Sequence, residues 1–344
     1  MSHYRFCPLS GNCVIISKKR KRRPSDFAFD GFENENIESP FIYGNEHKTP
    51  DEIYAVRNDS SVPNTPGWQV RVVPNKYNAL DIEKEPKKIR FGLYDTIDGC
   101  GAHEVIIDTP KFPSSIYDFS TPEIVVLLET IAVRIADLGR DLRLKYILPF
   151  KNNGPFSGAT IAHPHTQIMA LPFLPHTTET EMLRCKTYYA EHSRSLLEDL
   201  AQEELIVKSR IVFKSENFLA FCPFASSHPF AINIMPVSQK NDFLNLDTAR
   251  RQELADLLRE TITRLGHAID KASFNIVFRL KPPVREDERD YNLYHLIDNY
   301  YGWRIELTPR LLLEGGFELG SSVHINSVPP EEAAEFLRNV KGRR

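Results

Sequence analysis

One order of elements, strand, strand, helix, strand, recurs along the 344 residues and constrains the fold more than any single motif. In the first copy, Trp68 to Val73 alternates like a strand and ends at Pro74-Asn75. The run His103 to Asp108 is a second strand, closed by Thr109-Pro110. A helix follows, with Thr121 as N-cap, Pro122 at the first helical position and Gly139 as its stop, and Leu144 to Phe150 returns as a strand. A long amphipathic stretch, Thr178 to Leu205, reads as helix. The second copy then has strands at Ile211–Phe213, Phe218–Phe221 and Phe230–Met235, a helix at Thr248–Ala268 and a strand at Phe274–Leu280. Two copies of one unit imply an α+β fold of antiparallel sheets with packed helices, divided near residues 175–180 into domains 1–177 and 178–344.

The composition is globular, with 41% hydrophobic and 26% charged residues. A formal charge of −3 gives no global field for nucleic acid or an anionic membrane, and no apolar run approaches the roughly 20 residues of a membrane span. The opening Met-Ser-His-Tyr-Arg-Phe-Cys has no apolar signal core, so a cytoplasmic enzyme is expected. Five cysteines, none in a Cys-x-x-Cys pair, suggest neither a disulfide framework nor a zinc knuckle.

The most informative segment runs from Gly158 to Pro172 and contains His163-Pro-His165-Thr-Gln167. In an extended strand, residues two apart share a face, so His163, His165 and Gln167 are expected to converge. Pro164 biases His163 towards extended geometry. A bare His-x-His also fits a metal pair or packed core histidines. The trailing Gln and the preceding run of small residues favour a nucleotidyl site.

This motif resembles that of the galactose-1-phosphate uridylyltransferases, the His-Pro-His-x-Gln branch of the histidine-triad superfamily. Further blocks carry the resemblance across nearly the whole chain: Val70 to Tyr77, Gly101 to Ile107, Asn217 to Phe230, Trp303 to Arg310 and Gly316 to Gly320. The resemblance implies two tandem histidine-triad-like units, and a reaction in which His165 attacks the α-phosphorus of a nucleotide sugar and expels a sugar 1-phosphate. It gives His163 an orienting role, makes Gln167, Thr160 and Asn152 phosphate-positioning residues, and counts Gly158 among the substrate-binding residues. It places Arg20 and Arg23 near the nucleotide phosphates and Asn75 on the nucleotide. An imidazole is a competent nucleophile near neutrality, and Gln167 can donate to phosphoryl oxygens although it cannot protonate a leaving group. The basic run Lys18 to Arg23 reads otherwise as a solvated loop or a nucleic-acid tag.

The chain departs from the family where metals are concerned. The family's cysteine pair is replaced by Ser39-Pro-Phe-Ile42, which leaves only His103 and His163 of its zinc set. Its His-Trp-His segment reads Gly302-Trp303-Arg304, and Glu181, near another family metal position, is expected on a solvent-exposed helical face. No metal or other cofactor is therefore expected. The leading expectation is uridylyl transfer between UDP-glucose and a hexose 1-phosphate, by a homodimer that engages neither nucleic acid nor membrane. A nucleotide-sugar phosphorylase of the ADP-glucose type is the alternative, and a non-catalytic nucleotide-sugar binding protein is a second.

Overall fold

The computed structural model describes residues 2–17, 39–57, 60–285 and 292–340. The chain opens with a hairpin of β1 (His3–Phe6) and β2 (Cys13–Ile16). The first unit contains β3 (Tyr54–Arg57), β4 (Trp68–Pro74), an exposed hairpin of β5 (Lys88–Phe91) and β6 (Tyr94–Ile97), and β7 (Ala102–Ile107). Helix α1 (Thr121–Leu138), β8 (Tyr146–Asn153) and β9 (His165–Leu171) complete it. Two helices, α2 (His176–His192) and α3 (Leu196–Val207), lead to the second unit. That unit has β10 (Ile211–Lys214), β11 (Phe218–Phe221), β12 (Ile232–Pro236), α4 (Thr248–Ala268), β13 (Phe274–Arg279), a single turn α5 (Ile297–Tyr300) and β14 (Arg304–Pro309). The last elements are α6 (Gly316–Ser321), β15 (His324–Asn326) and α7 (Pro330–Asn339). Strand β15 pairs in parallel with β2, bringing the two ends of the described chain together.

Ten strands form one sheet in the order β10-β11-β12-β14-β13-β8-β9-β7-β4-β3. From either edge the same sequence of first, second, third, fifth and fourth strand of a unit is met, and the two fourth strands, β8 and β13, pair at the centre. The repeat seen in the sequence is thus a pseudo-two-fold within one continuous sheet. The register makes it explicit. One row runs Val73, Val105, Gln167, Phe150 in the first unit and Val277, Glu306, Asn233, Phe221 in the second, each residue paired with the next.

The two faces of the sheet differ. One carries Val70, Val72, Ile106, Ile147, Ile168 and Ile276, all buried under α1 and α4, which also pack on each other. Each such side chain contributes about 1.5–3 kcal/mol through burial. A salt bridge from Arg134 of α1 to Glu104 of β7 at 2.7 Å ties helix to sheet. The opposite face presents the row above and, beside it, His165.

Several local features differ from the sequence reading. Helix α1 is capped by Ser120 rather than Thr121, because the Glu123 carboxylate reaches back and accepts from the Ser120 N–H at 2.9 Å. The stretch 178–205 is two helices, since Ser193 turns left-handed (φ 56°) and its N–H closes on the Tyr189 carbonyl. Strand β8 begins at Tyr146 and runs on to Asn153, where β13 pairs with it. Strand β12 starts only at Ile232, two residues beyond the left-handed Phe230.

Candidate active site

A cavity of about 290 Å³ opens on the face away from α1 and α4. Its lining includes Phe41, Val73, Asn75, Thr160, His165 and Gln167, with Lys48 and Lys76 adding positive charge. Four residues singled out in the sequence therefore meet: Asn75, Thr160, His165 and Gln167. His163, Asn152 and Gly158 lie outside the lining. Arg20 and Arg23 fall outside the described residues. A larger cavity of about 610 Å³, walled by Phe243, Gln239 and Trp303, lies elsewhere and contains no histidine or cysteine.

His165 opens strand β9 and is 6% exposed. Its Nδ1 lies 2.8 Å from the His163 carbonyl, an acceptor only, so Nδ1 carries the proton and donates. The Nε2 lone pair is then left without a hydrogen-bond partner among the described residues. Burial pushes the His165 pKa below the ordinary imidazole value, and the Lys151 charge pushes the same way. The ring is neutral at pH 7 and can act as a nucleophile.

Behind His165, within the sheet, Lys151 donates to Asp108 Oδ2 at 2.7 Å and to the His165 carbonyl at 3.0 Å. Thr166 adds a bond to the same carboxylate oxygen at 3.3 Å. Both charged side chains are almost wholly buried, at 3% and 0% exposure. No local pattern in the sequence marks this pair. Its members lie 43 residues apart, Lys151 in β8 and Asp108 just past the end of β7, among buried residues that are mostly apolar.

His163 does not converge with His165 and Gln167 as the motif suggested. It precedes β9, level with Thr109, whose carbonyl accepts from its Nε2–H at 2.6 Å. Ser39 donates its hydroxyl to His163 Nδ1 at 2.9 Å, Phe112 stacks on the ring at 5.3 Å, and Phe41 meets it edge-on. The side chain is thus a clamp on the segment, and only its backbone carbonyl touches the His165 ring. Phe41 also contacts the His165 ring at 5.7 Å and packs with Trp68, Val73, Val105 and Ile107. This anchors the loop that replaces the cysteine pair.

His103 and His163 cannot share a metal ion. His103 pairs with Met169, and His163 stands six residues along the ladder, roughly 20 Å away at about 3.3 Å per residue. A hydroxyl, two phenyl rings and one imidazole around His163 do not make a tetrahedral nitrogen and sulfur set. No group of three or more metal-binding side chains occurs among the described residues.

Glu181 is buried, contrary to the expectation that it faces solvent. It receives two hydrogen bonds from Arg304, at 2.8 and 3.0 Å. Arg304 also bonds Glu306, which Arg279 holds from the other side at 3.1 Å. Burial alone would raise the Glu306 carboxyl, but the Arg304 and Arg279 charges overcome it and hold it below the usual range. By the pseudo-two-fold, Gln167 corresponds to Glu306 and His165 to Arg304. The second unit therefore has a guanidinium, engaged in ion pairs, where the first has its free imidazole. His324, whose role the sequence left open, lies 5.8 Å from the His228 ring and is not in this cavity's lining.

Asn152 bonds Asn275 of β13 at 2.8 Å, and Gly158 takes the left-handed φ of 87° that ends the turn before the motif. Asn275 was not legible as a site neighbour, because only the central pairing of β8 with β13 brings it there.

The C-terminal domain of galactose-1-phosphate uridyl transferase matches residues 181–342, and the N-terminal domain of a domain of unknown function, DUF4931, matches residues 86–174. Galactose-1-phosphate uridylyltransferase from Thermotoga maritima is 24% identical over 99% of this chain and 99% of its own. The chain is similar to the galactose-1-phosphate uridylyltransferase family along nearly its whole length. Like these relatives, it is a nucleotidyltransferase. ADP-glucose phosphorylase from Arabidopsis thaliana is 29% identical, covering 97% of this chain and 91% of the relative. A crystal structure of an Arabidopsis ADP-glucose phosphorylase with bound ADP-glucose superposes with a TM-score of 0.82 at 27% identity, covering 99% of this chain and all of that one.

Proposed function

We propose that the enzyme moves a nucleoside monophosphate from a nucleotide sugar to a phosphate acceptor through a covalent phosphoramidate on His165. The observation that carries this reading is the neutral, half-satisfied imidazole. Its Nδ1–H is engaged by the His163 carbonyl and its Nε2 lone pair is unengaged, in a cavity that also holds Asn75, Thr160 and Gln167. Nε2 attacks the α-phosphorus, and the bond from that phosphorus to the bridging oxygen breaks. The sugar 1-phosphate leaves with the electron pair, as a stable anion that needs no proton. An acceptor phosphate then attacks the same phosphorus, the P–N bond breaks, and His165 is restored. Gln167, Thr160 and Asn75 would donate to the phosphoryl oxygens, with Lys48 and Lys76 offsetting their charge. Arg20 and Arg23 join this set by resemblance. The side chains around His163 give the fold no use for the family's zinc, and no step requires one.

Two acceptors are compatible with this chemistry. The likeness to ADP-glucose phosphorylase, in sequence and in the superposed structure, favours ADP-glucose as donor and inorganic phosphate as acceptor, giving ADP and glucose 1-phosphate. The family relatives named as uridylyltransferases support a second reading, exchange of uridylyl groups between UDP-glucose and galactose 1-phosphate. Initial rates with ADP-glucose or UDP-glucose, each with phosphate or galactose 1-phosphate, separate the two. Phosphorolysis of ADP-glucose is expected to be the fastest of the four by at least about tenfold, a difference of ~1.4 kcal/mol in transition-state binding. A faster rate with UDP-glucose and galactose 1-phosphate would select the second reading. Turnover of none would overturn both.

A further inference from the structure

Gln167 is held on the side away from His165 by a residue not yet given a role. His103 of β7 has Nε2 at 2.9 Å from Gln167 Oε1 and 3.0 Å from Asn75 Nδ2, while its Nδ1 lies 3.4 Å from the Ala79 backbone nitrogen. The Ala79 N–H can only donate, so Nδ1 accepts and the proton sits on Nε2. Nε2 then donates to the Gln167 carbonyl, and two bonds are made. The other tautomer would make one, from Asn75, and would set Nδ1–H against the Ala79 N–H. Asn75 is fixed independently, because its Oδ1 accepts from the Tyr77 N–H at 2.9 Å. With its carbonyl taken by His103, Gln167 has only its amide nitrogen to offer the cavity, and Asn75 has its own in the same place.

We propose that His103 is a positioning residue, whose Nε2–H holds the Gln167 carbonyl so that the amide nitrogen faces the phosphoryl group beside His165. Without this bond the amide can rotate by half a turn and present its oxygen to an anionic phosphate, which repels it. The arrangement belongs to the first unit alone, since the row equivalent of Gln167 is Glu306 and that of His103, two residues before Asn233, is Ala231. The inference rests on the donor role given to Gln167 above.

The test uses five variants of the full chain: His103→Leu, His103→Asn, His103→Gln, Gln167→Leu and the double variant His103→Leu/Gln167→Leu. Each is followed by single-turnover nucleotidylation with ADP-glucose and with UDP-glucose, beside melting temperature. Gln167→Leu is expected to slow the step by roughly 10²-fold, the usual effect of losing one such donor. His103→Leu and His103→Asn, which lack a donor at the Nε2 position, should slow it on the order of tenfold with KM changed by less than about threefold. His103→Gln, whose amide nitrogen reaches the same place, should recover most of the rate. The double variant should be no slower than Gln167→Leu, because residues acting through one another are not additive. Should His103→Leu fail to fold, His103→Asn against His103→Gln carries the comparison. A slowed Gln167→Leu with both donor-less His103 variants at the wild-type rate, or a double variant showing the product of the two losses, overturns the positioning role and leaves the Gln167 reading intact. An unchanged Gln167→Leu would overturn the Gln167 reading itself, and the inference with it.

Discussion

Replacing His165 with alanine is expected to lower nucleotidyl transfer by roughly 10⁴-fold or more, the scale on which enzymes lose their covalent nucleophile. No other side chain in the cavity can take its place. Asn75, Thr160 and Gln167 are amides and a hydroxyl without an imidazole's lone pair, and the motif's other histidine, His163, lies outside the lining. The second unit offers no substitute, because its equivalent residue is Arg304 and is locked to Glu181 and Glu306. The ring makes one hydrogen bond, to a carbonyl, so its removal should leave the sheet intact by circular dichroism. Steady-state rates with the preferred donor and acceptor check this. A folded His165→Ala enzyme that retains more than about a tenth of the wild-type rate would contradict the assignment.

Lys151→Met is expected to be the most destabilising single change in the site, by about 3–5 kcal/mol, because it strands the Asp108 carboxylate inside the sheet. Asp108 Oδ1 already lacks a hydrogen-bond partner among the described residues, and Oδ2 would keep only the Thr166 hydroxyl at 3.3 Å. The double variant Lys151→Met/Asp108→Asn removes both charges and should recover a substantial part of the loss, since breaking a buried pair costs more than replacing it. Urea unfolding of the wild type and the two variants gives the comparison. The pair also bears on pH dependence. Burial and then Lys151 hold the His165 pKa down, so below pH 7 the wild type should stay active until the pH nears that lowered value. In Lys151→Met one of the two causes is gone and an uncompensated Asp108 favours the imidazolium, so the acid limb of kcat/KM should move to higher pH. An acid limb that stays in place would mean that Lys151 serves the fold alone.

The sequence revealed the repeating framework because each element carries its own local signals. Helix α4 begins after Asp247, whose side chain accepts from the Arg250 N–H, and its apolar residues recur on one face, so both ends were legible. Strand β14 was not. Arg304, Glu306 and Thr308 alternate with apolar residues, and the partners that make a buried Arg304 and a half-buried Glu306 tolerable come from α2 and β13, distant in the chain. The same holds at the site. The His-Pro-His-x-Gln segment placed His165 and Gln167 on one face, where both line the cavity, but Ser39 lies 124 residues from His163 and His103 lies 64 from Gln167. Contacts of that kind have no periodicity and no local composition, and they appear only once β7 and β9 are in register. For this reason the contact of His103 with Gln167 was not legible, and the reading of His163 as a third member of the face that carries His165 and Gln167 had to be replaced.

Intact-protein mass spectrometry after incubation with ADP-glucose or UDP-glucose, with no acceptor present, tests the covalent intermediate most directly. The mass should rise by one nucleoside monophosphate, and peptide mapping should place it on His165. The adduct should be lost in acid, survive in base as a phosphoramidate does, and disappear when the acceptor is added. An unmodified protein that nevertheless turns over the same nucleotide sugar, or an adduct on any residue other than His165, would contradict the account.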